Sequence, residues 1–236
     1  MNTAPAPSTI RDAGSSVGIR ALDVVAWVPY LALSVIHVLA LSVVSPLAGP
    51  TKLALMPLLA IPVLLAAPRL RSLLLLALLI GAIAFSWLGD GAGAFFPDGP
   101  ELPLMLLFFG IAHIGYITVF QRFARVRRLP WWTLVYVAWW VGMLAALGPH
   151  TEDLFPAVAG YGLILAGTAA TSARCHPVVA VGGAFFLASD SILAFRLFLP
   201  ASMPDWTSPA VMATYTIGQG LIVWGVLRTL AKRESR

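Results

Sequence analysis

Charge is what this chain of 236 residues has least of. Only 11% of its residues are charged and 59% are hydrophobic, against about a quarter charged in a soluble globular domain. That balance excludes a soluble fold and leads us to expect a polytopic membrane protein. Cysteine is nearly absent as well. The single Cys175 excludes an internal disulfide, and because it falls in a basic loop expected on the cytoplasmic side, its thiol should stay reduced. Redox chemistry is therefore not expected. There is no Gly-x-Ser-x-Gly nucleophile elbow, no His-Glu-x-x-His zinc motif and no Walker A loop. The cluster Gly89-Asp90-Gly91-Ala92-Gly93 resembles a phosphate loop in composition only, since no strand precedes it. His37, His113, His150 and His176 lie on different segments, which argues against a structural zinc site while leaving a mixed His/Asp site open. No cofactor, no metal and no nucleic-acid partner is expected. What remains is carboxylate chemistry.

Breaking the chain at charges, prolines and glycines leaves eight apolar segments, at about 24–44, 51–67, 71–89, 102–121, 131–148, 154–173, 177–199 and 207–228. At 1.5 Å per residue each can cross a hydrocarbon core of about 30 Å, the second only just. The expected fold is all-α: one eight-helix transmembrane bundle over 24–228, with a polar N-terminal tail at 1–23 and a basic C-terminal tail at 229–236. The first apolar run, about 21 residues, is too long for the roughly 7–15 of a signal-peptide core and reads as a retained helix. Arg11, Arg20, Arg69, Arg71, Arg122, Arg125, Arg127, Arg128, Arg174, Arg228, Lys232, Arg233 and Arg236 all fall on one side if the helices alternate. The positive-inside rule makes that side, with both termini, cytoplasmic. A multi-pass protein of the cell membrane is expected. The basic loop at 121–130 before Trp131 and Trp132 can also grip anionic head groups, although topology alone explains it. No signal fixes an oligomeric state.

Asp190 stands in the middle of the seventh segment, where an ionisable side chain costs several kcal/mol. Residues 185–196 read Phe-Phe-Leu-Ala-Ser-Asp-Ser-Ile-Leu-Ala-Phe-Arg, and residues 85–96 read Phe-Ser-Trp-Leu-Gly-Asp-Gly-Ala-Gly-Ala-Phe-Phe. Phe85, Asp90, Ala94 and Phe95 thus match Phe185, Asp190, Ala194 and Phe195 in register. The match, with Ile114-Gly115-Tyr116 echoed by Ile217-Gly218-Gln219, suggests a duplicated four-helix unit in a parallel 4+4 repeat. Chance similarity between apolar helices is the alternative. Helices three and seven are expected to face each other and bring Asp90 and Asp190 onto one cavity.

Other polar residues share helical faces. His113 and Tyr116 are three apart with Gly110 beside them, and Tyr215 and Gln219 are four apart. Such faces should point into the bundle, because lipid offers no hydrogen bonds. Lys52 opens the second helix at the outer surface, and Arg196 lies about 9 Å from Asp190 toward the same side. Two acids and two bases therefore collect in the outer half. A cavity open to that side, with the bases near its mouth, is expected.

In their order and spacing several of these residues resemble the YhhN-like lysoplasmalogenase family. They are Thr51-Lys52 opening a helix, Leu88-Gly89-Asp90, His113 with Tyr116, Ser189-Asp190-Ser191 followed by Arg196, and Tyr215 with Gln219. Leu53 stands where the family pattern usually has proline. The resemblance implies hydrolysis of the vinyl ether bond of lysoplasmalogens, releasing a fatty aldehyde and a glycerophospho-base. It implies a lysophospholipid substrate drawn from among the membrane lipids, with Asp90 and Asp190 catalytic. Lys52, Arg196, His113, Tyr116, Tyr215, Gln219 and Ser189 become the substrate-binding candidates.

The chemistry of the residues is compatible. Vinyl ether hydrolysis protonates a carbon, forms an oxocarbenium ion, adds water and ends when the hemiacetal collapses. A carboxylic acid and a second carboxylate suffice, as in glycosidases. Asp190 is the candidate acid and Asp90 the candidate base, with the swap open because Arg196 can hold Asp190 ionised. Lys52 and Arg196 would read the phosphate. The competing class is a small-molecule or proton-coupled lipid transporter, which also uses intramembrane acids, prolines in helices and parallel repeats. It would need a polar route to the cytoplasmic side. A purely structural protein would leave the buried acids unexplained.

Overall fold

A computed structural model describes residues 24–70 and 72–234, with the side chains of 232–234 excepted. Arg71, Arg236 and the segment 1–23, with Arg11 and Arg20, lie outside the described residues. The described chain is helical throughout, without strand. Its long helices are α1 (Val28–Ser42), α2 (Ala48–Ala66), α3 (Leu73–Asp90), α4 (Glu101–Val119), α5 (Val135–Leu147), α6 (Phe155–Ser172), α7 (Pro177–Phe198) and α8 (Thr207–Glu234). A single turn, Ala92–Phe95, separates α3 from α4. Short 3₁₀ turns extend α2 to Arg69 and continue α5 at both ends, and a π turn, Phe120–Ala124, follows α4. α8 runs through most of the segment expected to be a tail.

Among the described residues seven helical stretches, α2 to α8 with these extensions, are long and apolar enough to cross a membrane. The segment expected to span at 24–44 is instead divided. α1 has 15 residues, about 22 Å at 1.5 Å each, short of the roughly 30 Å core. The reason is Pro29, whose missing N–H cannot bond the Val25 carbonyl, so helical residues at 24–25 are separated from α1 by a turn.

α2 keeps two internal prolines, Pro57 and Pro62. Pro57 frees the Leu53 carbonyl four residues earlier, and the indole of Trp87 in α3 donates to that carbonyl at 2.8 Å. The proline break thus becomes a bond between α2 and α3, one residue from Lys52 and three from Asp90.

Helix against helix, the most extensive packing is α7 on α8, followed by α3 on α4. In the first pair a Cβ added to Gly182 would lie 2.9 Å from the Gly218 carbonyl oxygen and the Ile222 nitrogen. Only small residues allow backbones that close, and dispersion at such contacts is what holds helices together in lipid. α3 and α7 are not among the extensively packed pairs. Their neighbours α4 and α8 carry the contact between the two halves. Two loops separated in sequence by two helices also meet. The Val126 and Arg127 N–H groups both donate to the Arg174 carbonyl, at 2.8 and 3.1 Å, and Arg127 Nε donates to the Ala173 carbonyl at 2.7 Å. The arginine-bearing 4–5 and 6–7 connections therefore share one end of the bundle, with Cys175 buried beside them and in no disulfide.

Candidate active site

Asp90 is the last residue of α3, and Gly91 ends the helix just before the one-turn segment. Its Oδ1 lies 3.7 Å from the Lys52 Nζ, and the Asp90 side chain is 3% exposed against 37% for Lys52. Its Oδ2 accepts a hydrogen bond from the Tyr215 hydroxyl of α8 at 2.8 Å. A carboxylate at a helix C-terminus faces the negative end of the helix dipole. The ammonium from the first turns of α2 supplies the opposing charge.

Asp190 sits on α7 with two further turns of helix beyond it. Its Oδ2 accepts a short hydrogen bond from the Tyr161 hydroxyl of α6, and His113 Nε2 of α4 is 3.9 Å from the same oxygen. Tyr161 and His113 also approach each other, at 3.4 Å. The His113 ring is fully buried and its Nδ1 has no hydrogen-bond partner.

The clusters are joined in two ways. Phe186 packs edge-on against His113 of one, at 4.5 Å between ring centres, and against Tyr215 of the other, at 5.3 Å. The carboxylates themselves lie within electrostatic reach of each other. Around Tyr215 the polar network extends through Gln219, whose Nε2 donates to Ser86 at 3.0 Å and to Tyr215 at 3.4 Å. Its Oε1 accepts from the Tyr116 hydroxyl at 2.5 Å. Gln219 is fully buried and pins α8 to α3 and α4, each such interhelical bond contributing about 0.6–2 kcal/mol.

Of the residues expected at the site, Asp90, Asp190, Lys52, His113, Tyr116, Tyr215 and Gln219 lie in this assembly. Ser189 and Arg196 are engaged elsewhere. Ser189 is buried and donates to the Val211 carbonyl of α8 at 3.0 Å. Arg196 Nη1 donates to the Thr207 hydroxyl at 2.5 Å and to the Pro204 carbonyl at 3.4 Å, tying the α7–α8 connection together. Arg196 is thus the neighbour of a turn, while Asp190 has a phenol and an imidazole beside it. Tyr161 and Ser86 were missed. Tyr161 carries the same signal that singled out His113 and Tyr116, a polar ring inside an apolar run, flanked by Gly160 and Gly162. Two grooves in the structure run along the seam of α1 and α8, and neither is lined by Asp90 or Asp190.

A model of the YhhN family matches residues 47–226, well over half of the chain. The chain belongs to the YhhN family. The YhhN match spans every member of both clusters, from Lys52 to Gln219, and leaves α1 outside. Comparison with curated proteins and with solved structures gives no match for this YhhN chain.

Proposed function

We propose that this YhhN protein is a membrane-embedded hydrolase that cleaves the vinyl ether bond of lysoplasmalogens to a fatty aldehyde and glycerophosphoethanolamine or glycerophosphocholine. The observation that carries the reading is the pair of buried carboxylates, each held by a tyrosine from another helix and close enough to sense one another. Membership of the family is consistent with it.

The unlike partners suggest the division of labour. A carboxylate with an ammonium beside it is easier to keep ionised in a low-dielectric interior than one without. Asp90, next to Lys52, is accordingly the base, and Asp190 the acid. Asp190 gives its proton to the vinyl carbon remote from the ether oxygen, and the oxocarbenium ion that forms is stabilised by the Asp90 charge. Water adds to the cation carbon as Asp90 takes its proton. The hemiacetal then breaks its bond to the glycerol oxygen, which recovers that proton, while the new carbonyl returns its hydroxyl proton to Asp190. Both acids end as they began. Lys52, half-exposed, faces the phosphate as well as Asp90, and Arg196 reads the phosphate with donors other than the Nη1 used at the turn.

The bundle is proposed to lie in the cell membrane with its arginine-rich end in the cytoplasm. It is also proposed to be a parallel duplication of four helices. In support, Ala82, Ile83, Ser86 and Gly89 are buried on α3, and Gly182, Gly183, Phe186 and Ser189, each one hundred positions later, on α7. Tyr116 and Gln219, matched in the two halves, bond each other. Asp90 draws its partners from α2 and α8, and Asp190 from α6 and α4, as a twofold exchange of halves requires.

Purified protein given lysoplasmalogen and the saturated-ether analogue tests the reaction. Aldehyde release from the vinyl ether alone is expected. Release from neither, with substrate flux in sealed vesicles, would replace the hydrolase by the carrier.

A further inference from the structure

At the arginine-rich end, away from both aspartates, a groove of about 1060 Å³ opens between α1, the end of α2 and α8. A smaller one of about 340 Å³ continues it along the same seam, and Leu31 lines both. The walls are apolar, with Leu65, Leu221 and Trp27 among them, and none of the described residues that line it is acidic. The polar groups of the upper stretch are occupied internally. The Tyr30 hydroxyl donates to the Thr216 carbonyl at 2.7 Å, and Ser34 donates to the Tyr30 carbonyl at 2.7 Å. What remains for an occupant is hydrocarbon surface.

The mouth adds charge to this surface. Arg69 from the end of α2 and Arg228 from α8 both line it and are exposed. The Arg228 guanidinium lies over the Trp224 ring, 5.2 Å from its centre, an arrangement that steadies a cation at the depth where indoles settle in a bilayer. From Arg228 back to Ala213, which lines the far end, is 15 residues of α8, or about 22 Å. That exceeds half of the roughly 30 Å core, so a chain entering at the arginines can lie along the seam for the whole depth of its own leaflet.

We propose that this seam binds one anionic phospholipid of the leaflet at the arginine-rich face. Its phosphate sits on Arg69 and Arg228, and one acyl chain follows α8 past Leu31 toward Ala213. Two arginines over an apolar track complement an anionic head group with a tail, and a basic pocket between helices on the cytoplasmic side is where such lipids are held. The proposal does not depend on the hydrolase reading, because no residue of the aspartate clusters lines the seam.

Full-length protein is purified with equal amounts of phosphatidylglycerol and phosphatidylcholine, and retained lipid is counted by native mass spectrometry. One phosphatidylglycerol per chain is expected in preference to phosphatidylcholine. The double variant Arg69→Gln/Arg228→Gln should lower its retention at least about tenfold, the scale of losing charge-assisted contacts. Leu31→Trp, which fills the junction of the grooves and leaves both charges in place, should lower it as well. Phosphatidylglycerol with a photoreactive tail should label α1 and residues 213–228 rather than α5. Equal retention of the two lipids, retention unchanged in both variants, or even labelling of all lipid-facing helices would overturn the site. So would a crosslinker at Leu221 that captures residues 1–23 in place of lipid.

Discussion

Asp90 and Asp190 occupy matched positions in similar stretches of sequence, yet they end in unlike surroundings. Asp90 closes its helix, with a lysine from α2 and a tyrosine from α8. Asp190 lies within a helix that continues to Phe198, with a tyrosine from α6 and a histidine from α4. Each has a phenol, and only Asp90 has a group of fixed charge. The difference begins with local chemistry. α3 stops at Asp90, and the next residue, Gly91, leaves no room for a Cβ beside the Phe95 ring, whereas α7 runs on past Ser191, whose hydroxyl donates to the Leu187 carbonyl at 2.6 Å and accepts from Trp139 at 3.1 Å. Two like acids thus meet different partners, without a change in either residue.

The largest effect should come from removing the acids. Asp90→Asn and Asp190→Asn keep size and hydrogen bonding but cannot cycle a proton. Each is expected to cost at least about a hundredfold in aldehyde release per folded molecule, the lower bound for a general acid or base. If both variants insert, fold and keep most of their turnover, the two-acid comparison has no catalytic meaning.

Next come the phenols. Tyr161→Phe and Tyr215→Phe each delete one hydrogen bond to a carboxylate, worth about 1.5–3 kcal/mol when the partner is charged, or roughly ten- to a hundredfold in rate if it is lost only at the transition state. The loss should appear in kcat, with KM little changed. Equal losses would make the tyrosines equivalent. A far larger loss in one would show which carboxylate depends more on its orientation.

Lys52 sharpens the contrast directly. Lys52→Met should lower kcat/KM by about tenfold, while Lys52→Arg restores most of it because the counter-charge to Asp90 returns. An arginine variant as poor as methionine would mean that the ammonium serves as more than a charge. Arg196→Ala should have the smallest effect on chemistry, since its Nη1 bonds hold the Thr207 and Pro204 turn. We expect a lower unfolding temperature, a raised KM if the remaining donors read phosphate, and turnover within about twofold of the parent. A collapse of kcat would return Arg196 to the side of Asp190.

Much of the candidate site was legible in the residues because lipid penalises polar side chains. His113, Tyr116, Tyr215 and Gln219 could be placed inside the bundle on that ground alone, and they are all buried. Tyr161 obeys the same rule and was overlooked because no polar residue stands three or four positions from it. The first helix departs most from the expected bounds, because Pro29 divides the apolar run and α1 alone is shorter than a span.

By itself, then, the sequence determined the membrane class, the positions of α2 to α8 and the burial of the acids, because hydropathy and the breaks at charge, proline and glycine act within a single helix. Which tyrosine meets which aspartate was a tertiary decision. So were the pairing of Lys52 with Asp90, the use of Trp87 to satisfy the Leu53 carbonyl and the diversion of Arg196 to a turn. Partners 29 and 125 positions apart, as for Tyr161 with Asp190 and Tyr215 with Asp90, depend on how each helix rotates against its neighbours. That rotation is set by close contacts such as Gly182 on Gly218, which no single segment encodes alone.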